Sequence, residues 1–283
     1  MAGHAVTRTR FAPSPTGLLH LGHAYSALLA QSLADPGQFL LRIEDIDRDR
    51  CKPRFEQALK QDLAWLGLRW QEPVMRQSDR MAAYDRALTQ LAPFCYPCRC
   101  RRGDIRAALS APQETALPAG PDGLIYPGTC RHRSMSDIGP DDVIRLDVAR
   151  AFDHLRRDQL EFRDHAILSV GPHRMTRDQF VSDIGDVILS RRGMGTSYHL
   201  AVVVDDAAQG ITLVTRGKDL FGATWIHLLL QHLLNLPQPT YHHHRLIRDD
   251  AGKRLAKRDD ARAIRQFRDD GATPEDIRRL IGL

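Results

Sequence analysis

Residues 8–23 read R-T-R-F-A-P-S-P-T-G-L-L-H-L-G-H, and their reading decides the fold. Arg8 to Phe11 are strand-like, two prolines and a glycine then impose an irregular loop, and an apolar helical run over 24–34 follows at once. A strand, a rigid loop and a helix N-terminus together present unpaired backbone amides, which is the makings of an anion site. His20 and His23 are three apart and share one face of the first helical turn, and Gly22 between them lets a flat ring lie close to the backbone. Imidazoles placed there donate to a phosphate as its charge builds up, and the first-turn amides add to that field. Two partly buried histidines at a helix start account for the bare H-x-G-H equally well.

With 283 residues, the chain is long enough for a full core in one large domain or two small ones. A net charge of +5, with both signs interspersed, permits an RNA partner without requiring one. The first ten residues lack an apolar signal segment and no apolar run is long enough to span a bilayer, so the expectation is a cytoplasmic chain with no membrane partner. Of five cysteines, Cys95, Cys98 and Cys100 crowd together and Cys130 follows. In a large cytosolic chain such a cluster reads as a metal site before a disulfide framework.

Moving outward from the opening stretch, Pro36-Gly37 makes a turn and 38–43 reads as a buried strand ending in Glu44-Asp45-Ile46-Asp47. Alternation puts Arg42 and Glu44 on one side, at the carboxyl edge where open α/β sheets bind ligands. A solvated acidic loop is the plainer alternative. An amphipathic helix over 54–66 presents Phe55, Leu59, Leu63 and Leu66, with Gly67 as its C-terminal stop. Trp65 and Trp70 are expected in the core, and 81–91 as a further helix with Asp79 a possible N-cap.

Composition changes at Cys95, where C-Y-P-C-R-C and, later, Y-P-G-T-C-R-H frame a segment rich in Pro, Gly and Arg, with 112–123 as loop. Zinc takes four soft or borderline ligands in a tetrahedron, which a Cys-x-Cys pair and a distant pair would supply. Beyond it, 143–148 is strand-like. The signal then returns in D-V-I-L-S-R-R-G-M-G-T-S-Y-H-L-A-V-V-V-D-D, with strands expected at its start and over 198–204, another over 211–214, and a helix over 224–234. His242, His243 and His244 alternate faces in an extended strand and cannot all ligate one ion, so they are expected exposed. K-R-L-A-K-R, residues 253–258, is a basic run after the last strand, and short helices follow at 261–270 and 274–281, the second capped by Thr273.

R-F-A-P-S-P-T-G-x-L-H-x-G-H closely resembles the first signature of the glutamyl-type class I aminoacyl-tRNA synthetases. L-R-I-E-D, Y-x-L-A-V-V-V-D-D and V-x-R-G-x-D-L resemble that family's later landmarks, and K-R-L-A-K-R its second nucleotide signature, usually K-M-S-K-S. Ala256 replaces the serine and Lys257 keeps the second lysine. A-P-S-P-T-G, where glutaminyl enzymes have P-P-E-P-N-G, places the chain on the glutamyl side.

The resemblance implies an α/β fold: a Rossmann-like parallel-sheet domain, an inserted acceptor-binding-like subdomain with a zinc site, and a short helical C-terminal segment. Its halves would be 1–94 and 186–244 around an insertion at 95–185, with 245–283 carrying the signature loop and C-terminal helices. It implies that Arg10, Phe11, Ala12, Pro13, Ser14, Glu44, Tyr198 and Arg216 bind glutamate, Glu44 through the α-ammonium and Arg216 through a carboxylate. His20, Gly22, His23 and Lys257 would serve ATP, with Mg²⁺ at the phosphates and His20, His23 and Lys257 as the catalytic groups. Within the family the short bacterial paralogues are most similar; their Cys-x-Cys and Tyr-x-x-x-Cys fall here on Cys98, Cys100, Tyr126 and Cys130 around one structural Zn²⁺. His132 and Cys95 rival Tyr126 for the fourth place. Those paralogues attach glutamate to queuosine in tRNA(Asp), and the chain has no room for the helical anticodon-reading domain of a full glutamyl enzyme. The expectation is therefore a monomeric ligase with glutamate, ATP and queuosine-bearing tRNA(Asp) as partners. A minimal synthetase charging a tRNA 3′ end and a non-catalytic RNA-binding paralogue are the alternatives.

Overall fold

The computed structural model describes residues 6–109, 117–166, 170–248 and 262–283. The basic signature 253–258, with Lys257, lies outside the described residues. The first half is a βαβαβ unit: β1 (Thr9–Phe11), α1 (Leu21–Leu33), β2 (Phe39–Ile43), α2 (Pro53–Trp65) and β3 (Gln71–Arg76), its strands parallel in the order β1-β2-β3. β1 and β2 are buried along their whole length, Thr9, Arg10 and Arg42 included, as strands covered on both faces are. Gly67, at φ +84°, stops α2 as its position implies, and Leu59, Leu63 and Leu66 enter the core. Trp65 and Trp70 are only partly buried and pack against that core from its edge. Arg80, not Asp79, precedes α3 (Met81–Leu91), because Asp79 belongs to a 3₁₀ turn over Gln77–Asp79.

β4 (Cys95–Cys98) starts a small antiparallel sheet. It is followed by α4 (Arg102–Leu109), the hairpin β5 (Ala119–Gly120) and β6 (Gly123–Leu124), β7 (Val143–Leu146) and α5 (Val148–Leu155). β8 (Gln159–Asp164) and β9 (Gly171–Thr176) form an antiparallel pair. The helical turn α6 (Arg177–Gln179) then runs into a π-helical turn over Phe180–Ile184 and on to β10 (Val187–Ser190), which pairs with β7.

The chain continues as α7 (Tyr198–Ala208), β11 (Leu213–Gly217), α8 (Ala223–Leu233) and β12 (Thr240–His244). Residues 198–204, expected as a strand, are helical. Ser197 caps the helix by accepting from the Leu200 amide, and the apolar run is buried because α7 is wedged against α3, α8 and β10. An unbroken apolar run does not distinguish a buried strand from a helix buried on several sides. Asp205 and Asp206 accordingly lie inside that helix and are buried. β11 starts at Leu213, two residues later than expected, and carries Arg216 and Gly217 within it.

β12 lies between β11 and β8, parallel to both. The expected exposed histidines are thus in an interior strand, with His243 and His244 buried. β8 and β9, within the stretch read as inserted, join this sheet through β12. The two sheets meet where the Arg8 carbonyl accepts from the Thr212 and Leu213 amides, at 3.0 and 3.2 Å. Strand order runs β3-β2-β1 and then β11-β12-β8, so β1 and β11 flank a topological switch point, where open α/β sheets bind ligands. After the undescribed stretch, α9 (Ile264–Asp269) and α10 (Pro274–Ile281) pack Ile264, Ile277 and Ile281 into the first-half core, with Thr273 capping α10 as expected.

Candidate functional site

A cleft of about 450 Å³ opens at the switch point. Arg10, Phe11, Ala12, Pro13, Ser14, His20, Gly22, His23, Glu44, Tyr198 and Arg216 all line it, so the structure brings together every described residue expected to hold amino acid or nucleotide. The first loop is pinned by β2 and the start of α2, since the Glu44 amide donates to the Pro13 carbonyl (3.1 Å) and the Lys52 amide to that of Pro15 (3.1 Å).

His20 is the N-cap of α1 and His23 its N3 residue, in a reciprocal capping box. His20 Nδ1 accepts from the Gly22 amide at 3.1 Å and His23 Nδ1 from the His20 amide at 3.1 Å. Each neutral ring therefore carries its hydrogen on Nε2. A Cβ at Gly22 would stand 3.0 Å from His20 Cε1, so the glycine is what lets that ring settle on the amide. His20 also bridges to Ala263, while Leu246 and Ile247 line the cleft, so the described residues on both sides of the basic signature lie at this site.

Charge in the cleft is arranged in two ways. Asp206 accepts from Arg10 through both oxygens (2.8 and 3.2 Å) and from Arg42 Nη1 (2.7 Å); Arg42, fully buried, also reaches Glu44 at 3.2 Å. Burial alone raises the Asp206 carboxyl, but Arg10 and Arg42 outweigh it and hold it below the usual range. Burial lifts Glu44 above the ordinary glutamate value despite Arg42 and Arg10. It lifts the Tyr198 phenol as well.

Arg216 is held differently. Its Nη1 donates to His227 Nδ1 (3.0 Å), its Nε to His243 Nε2 (3.1 Å) and its Nη2 to Thr224 Oγ1 (2.5 Å). Burial, and then Arg216 itself, push His227 well below the usual imidazole value, and burial lowers His243 too. All three partners are thus neutral at pH 7, and among the described residues no acidic side chain pairs with Arg216. Behind His243, its Nδ1 donates to the buried Asp164. Behind His227, its Nε2 meets His199 Nδ1 at 3.1 Å, and His199 Nε2 lies 3.5 Å from Asp122. The register explains the arrangement: Arg216 and His243 are partners across β11 and β12, and Thr224 and His227 share one face of α8. Asp164, His199, Thr224, His227 and His243 were not recognised as site residues from sequence; the three-residue spacing of Thr224 and His227 is the one local signal that could have paired them.

At the other end of the chain's middle segment, Cys98, Cys100 and Cys130 bring their sulfurs within 4.8 Å of one another. The Tyr126 hydroxyl lies 3.4 Å from both Cys98 and Cys100 sulfur, and Cys100 and Cys130 sulfurs are 3.6 Å apart. Thiolates at ordinary zinc distances have sulfurs about 3.8 Å apart, so the three cysteines fit the ion, with the Tyr126 hydroxyl beside them. His132 is exposed, and Cys95 is buried in a separate core.

The family of class I tRNA synthetases for glutamate and glutamine (E and Q), through its catalytic domain, matches residues 6–283. The chain belongs to that family, an enzyme family of ligases. Within it, the chain is 55% identical over 282 residues to Glutamyl-Q tRNA(Asp) synthetase of Rhodobacter capsulatus, an alignment covering 97% of this chain and 99% of that protein. It is also similar to Glutamate--tRNA ligase 1 of Halorhodospira halophila, at 36% identity over 95% of this chain and 56% of that one. A crystal structure of glutamate tRNA ligase from Elizabethkingia meningosepticum in complex with its amino acid superposes with a TM-score of 0.74 at 25% identity, over 99% of this chain and 61% of that one. The chain thus spans about three fifths of the solved ligase.

Proposed function

We propose that the protein activates glutamate with ATP, without needing tRNA, and transfers it to queuosine at the wobble position of tRNA(Asp). The observation that carries the amino-acid half is Arg216: a buried guanidinium at the cleft, held by neutral acceptors, in the same cavity as the carboxylate of Glu44. Such a cavity takes a zwitterion with a second carboxylate. The side-chain carboxylate would pair with Arg216 in the guanidinium's fork geometry, the α-ammonium with Glu44, and Arg10, Tyr198 and the 11–14 loop would close over the remainder. The 55% identity to Glutamyl-Q tRNA(Asp) synthetase supports the acceptor.

In the first step a glutamate α-carboxylate oxygen attacks the α-phosphorus of ATP, and the bond to the β-phosphate oxygen breaks with its electrons leaving on pyrophosphate. His20 and His23 would offer their Nε2–H groups to the phosphates, where hydrogen bonds strengthen as charge develops. Lys257 is proposed to neutralise the departing pyrophosphate. Mg²⁺ bound to ATP supplies further charge neutralisation. In the second step a queuosine diol oxygen bonds to the activated carbonyl carbon, the acyl–phosphate C–O bond breaks toward AMP, and the hydroxyl proton passes to the departing phosphate. Cys98, Cys100, Tyr126 and Cys130 would hold a zinc ion whose role is structural, tying β4 to the loop around Cys130.

The test offers labelled glutamate and ATP with tRNA(Asp) carrying or lacking queuosine, and with tRNA(Glu). Glutamate-dependent ATP–pyrophosphate exchange without tRNA, and labelling only of queuosine-bearing tRNA(Asp), are expected. Labelling that requires the 3′-terminal ribose would assign the protein to ordinary charging instead.

A further inference from the structure

A second cavity, of about 360 Å³, adjoins the cleft and shares Ser14, Glu44 and Tyr198 with it as common walls. His20, Gly22 and His23 do not line it, so it opens on the amino-acid end of the cleft and not on the nucleotide end. Its outer walls carry Asp47, Arg50 and Arg191, with Met194 among its apolar lining. Asp47 comes from the acidic string after β2, and Arg191 from the turn after β10, where it also reaches Asp122 of the β5–β6 hairpin at 3.4 Å.

We propose that this antechamber is the acceptor subsite, taking a nucleobase whose substituent is a secondary ammonium bearing a cyclic diol; the inference rests on the functional reading above. Three observations converge. The volume suits one such substituted base and lies within the ordinary range for small-ligand sites. The shared wall includes Glu44, so a hydroxyl arriving from the antechamber meets the carbon chain beside the α-ammonium, where the activated carbonyl stands. The charges are complementary: Asp47 offers a carboxylate to the ammonium, and Arg191 a guanidinium to an adjoining phosphate. Asp47 is paired with Arg50 at 2.5 Å, but the Arg50 side chain is 69% exposed. Such a surface pair is worth little and yields readily to a substrate cation. The Arg50 contact, with its backbone amide, holds the Asp47 carboxyl below the usual range even though burial opposes this, so it stays ionised at pH 7.

The experiment separates the two half-reactions in the full chain with the variants Asp47→Asn and Arg191→Ala. Neither residue lines the first cleft, so glutamate-dependent ATP–pyrophosphate exchange without tRNA is expected within about twofold of wild type, which also certifies folding. Transfer of labelled glutamate to queuosine-bearing tRNA(Asp) is expected to fall about tenfold or more for Asp47→Asn, the loss typical of one charge-assisted contact. Arg191→Ala is expected to raise the KM for tRNA, with an effect that shrinks as salt rises. Transfer at the wild-type rate in both variants overturns the assignment, and so does a parallel fall of exchange and transfer. A wild-type protein that exchanges but labels no queuosine-bearing tRNA overturns the functional reading and this subsite with it, a result distinguishable from either variant pattern.

Discussion

Asp164→Asn is a one-atom change with a calculable consequence for a residue it never touches. Asp164 Oδ1 accepts from the Ala166 amide at 2.8 Å and the His243 amide at 3.3 Å, and its other oxygen accepts from His243 Nδ1. Asparagine can keep its carbonyl on the two amides only by turning its NH₂ toward His243, which inverts the tautomer: Nδ1 must accept and Nε2 then carries the hydrogen. That hydrogen meets the Arg216 Nε–H, since the two nitrogens are 3.1 Å apart. A favourable bond becomes a donor–donor clash within a buried cluster. Losing a hydrogen bond to a charged group costs about 1.5–3 kcal/mol, and Arg216 would be expected to swing toward its remaining partners, His227 and Thr224. Arg216 is proposed to bind glutamate and not to take part in phosphoryl transfer. The loss should therefore appear as a glutamate KM raised about 10- to 100-fold in ATP–pyrophosphate exchange, with the KM for ATP unchanged and kcat little changed. Asp164→Glu, which restores the acceptor if the backbone yields, should recover part of the affinity. A glutamate KM within twofold of wild type in folded Asp164→Asn protein would refute the relay.

Asp206→Asn removes the carboxylate shared by Arg10 and Arg42, which are 5% and 0% exposed, and should destabilise by about 3–5 kcal/mol in urea unfolding; a loss below about 1 kcal/mol would contradict the shared-pair reading. Because the Asp206 carboxyl is depressed in the fold, its stabilisation is complete above the unfolded carboxylate value and is lost as pH falls toward the lower folded one. Glu44 behaves oppositely: burial raises its carboxyl, so acidification protonates it at a pH above the ordinary glutamate range. The glutamate KM should rise on that acid limb and be flat above it, and a Glu44→Gln variant should lack the limb; a pH-independent KM in wild type would remove Glu44 from ammonium binding. Metal analysis should find one zinc ion per chain. Tyr126→Phe should weaken its retention against chelator about tenfold or more while His132→Ala leaves it unchanged; the reverse order would transfer the fourth place to His132.

The geometry of the H-x-G-H stretch was legible because it is local, and its assignment to ATP rests on the family resemblance. In 8–23 the loop, the helix start and both histidines are contiguous, and three-residue spacing is enough to place His20 and His23 in one capping box. Glu44 could be placed just past a buried strand, but spacing alone read equally as a solvated acidic loop, and only the resemblance singled it out. Where periodicity misled, the cause was burial from more than one side: α7 carries a run that reads equally as strand, and β12 presents polar residues whose partners lie on other strands and helices.

The sequence by itself therefore determined which short motifs exist, the β-α-β-α start of the chain, and the chemistry each motif could offer, whereas it left the helical state of 198–208 undecided. Tertiary structure alone decided what Arg10, Arg42 and Arg216 are paired with. Asp206, on a helix, is shared by the first two, with Glu44 as a second acid on Arg42, whereas His227, His243 and Thr224, from α8 and β12, hold the third with no acid among the described residues. Whether a buried guanidinium is already neutralised or open to a substrate carboxylate depends on contacts between residues far apart in the chain, fixed by strand order and register. No local pattern encodes them.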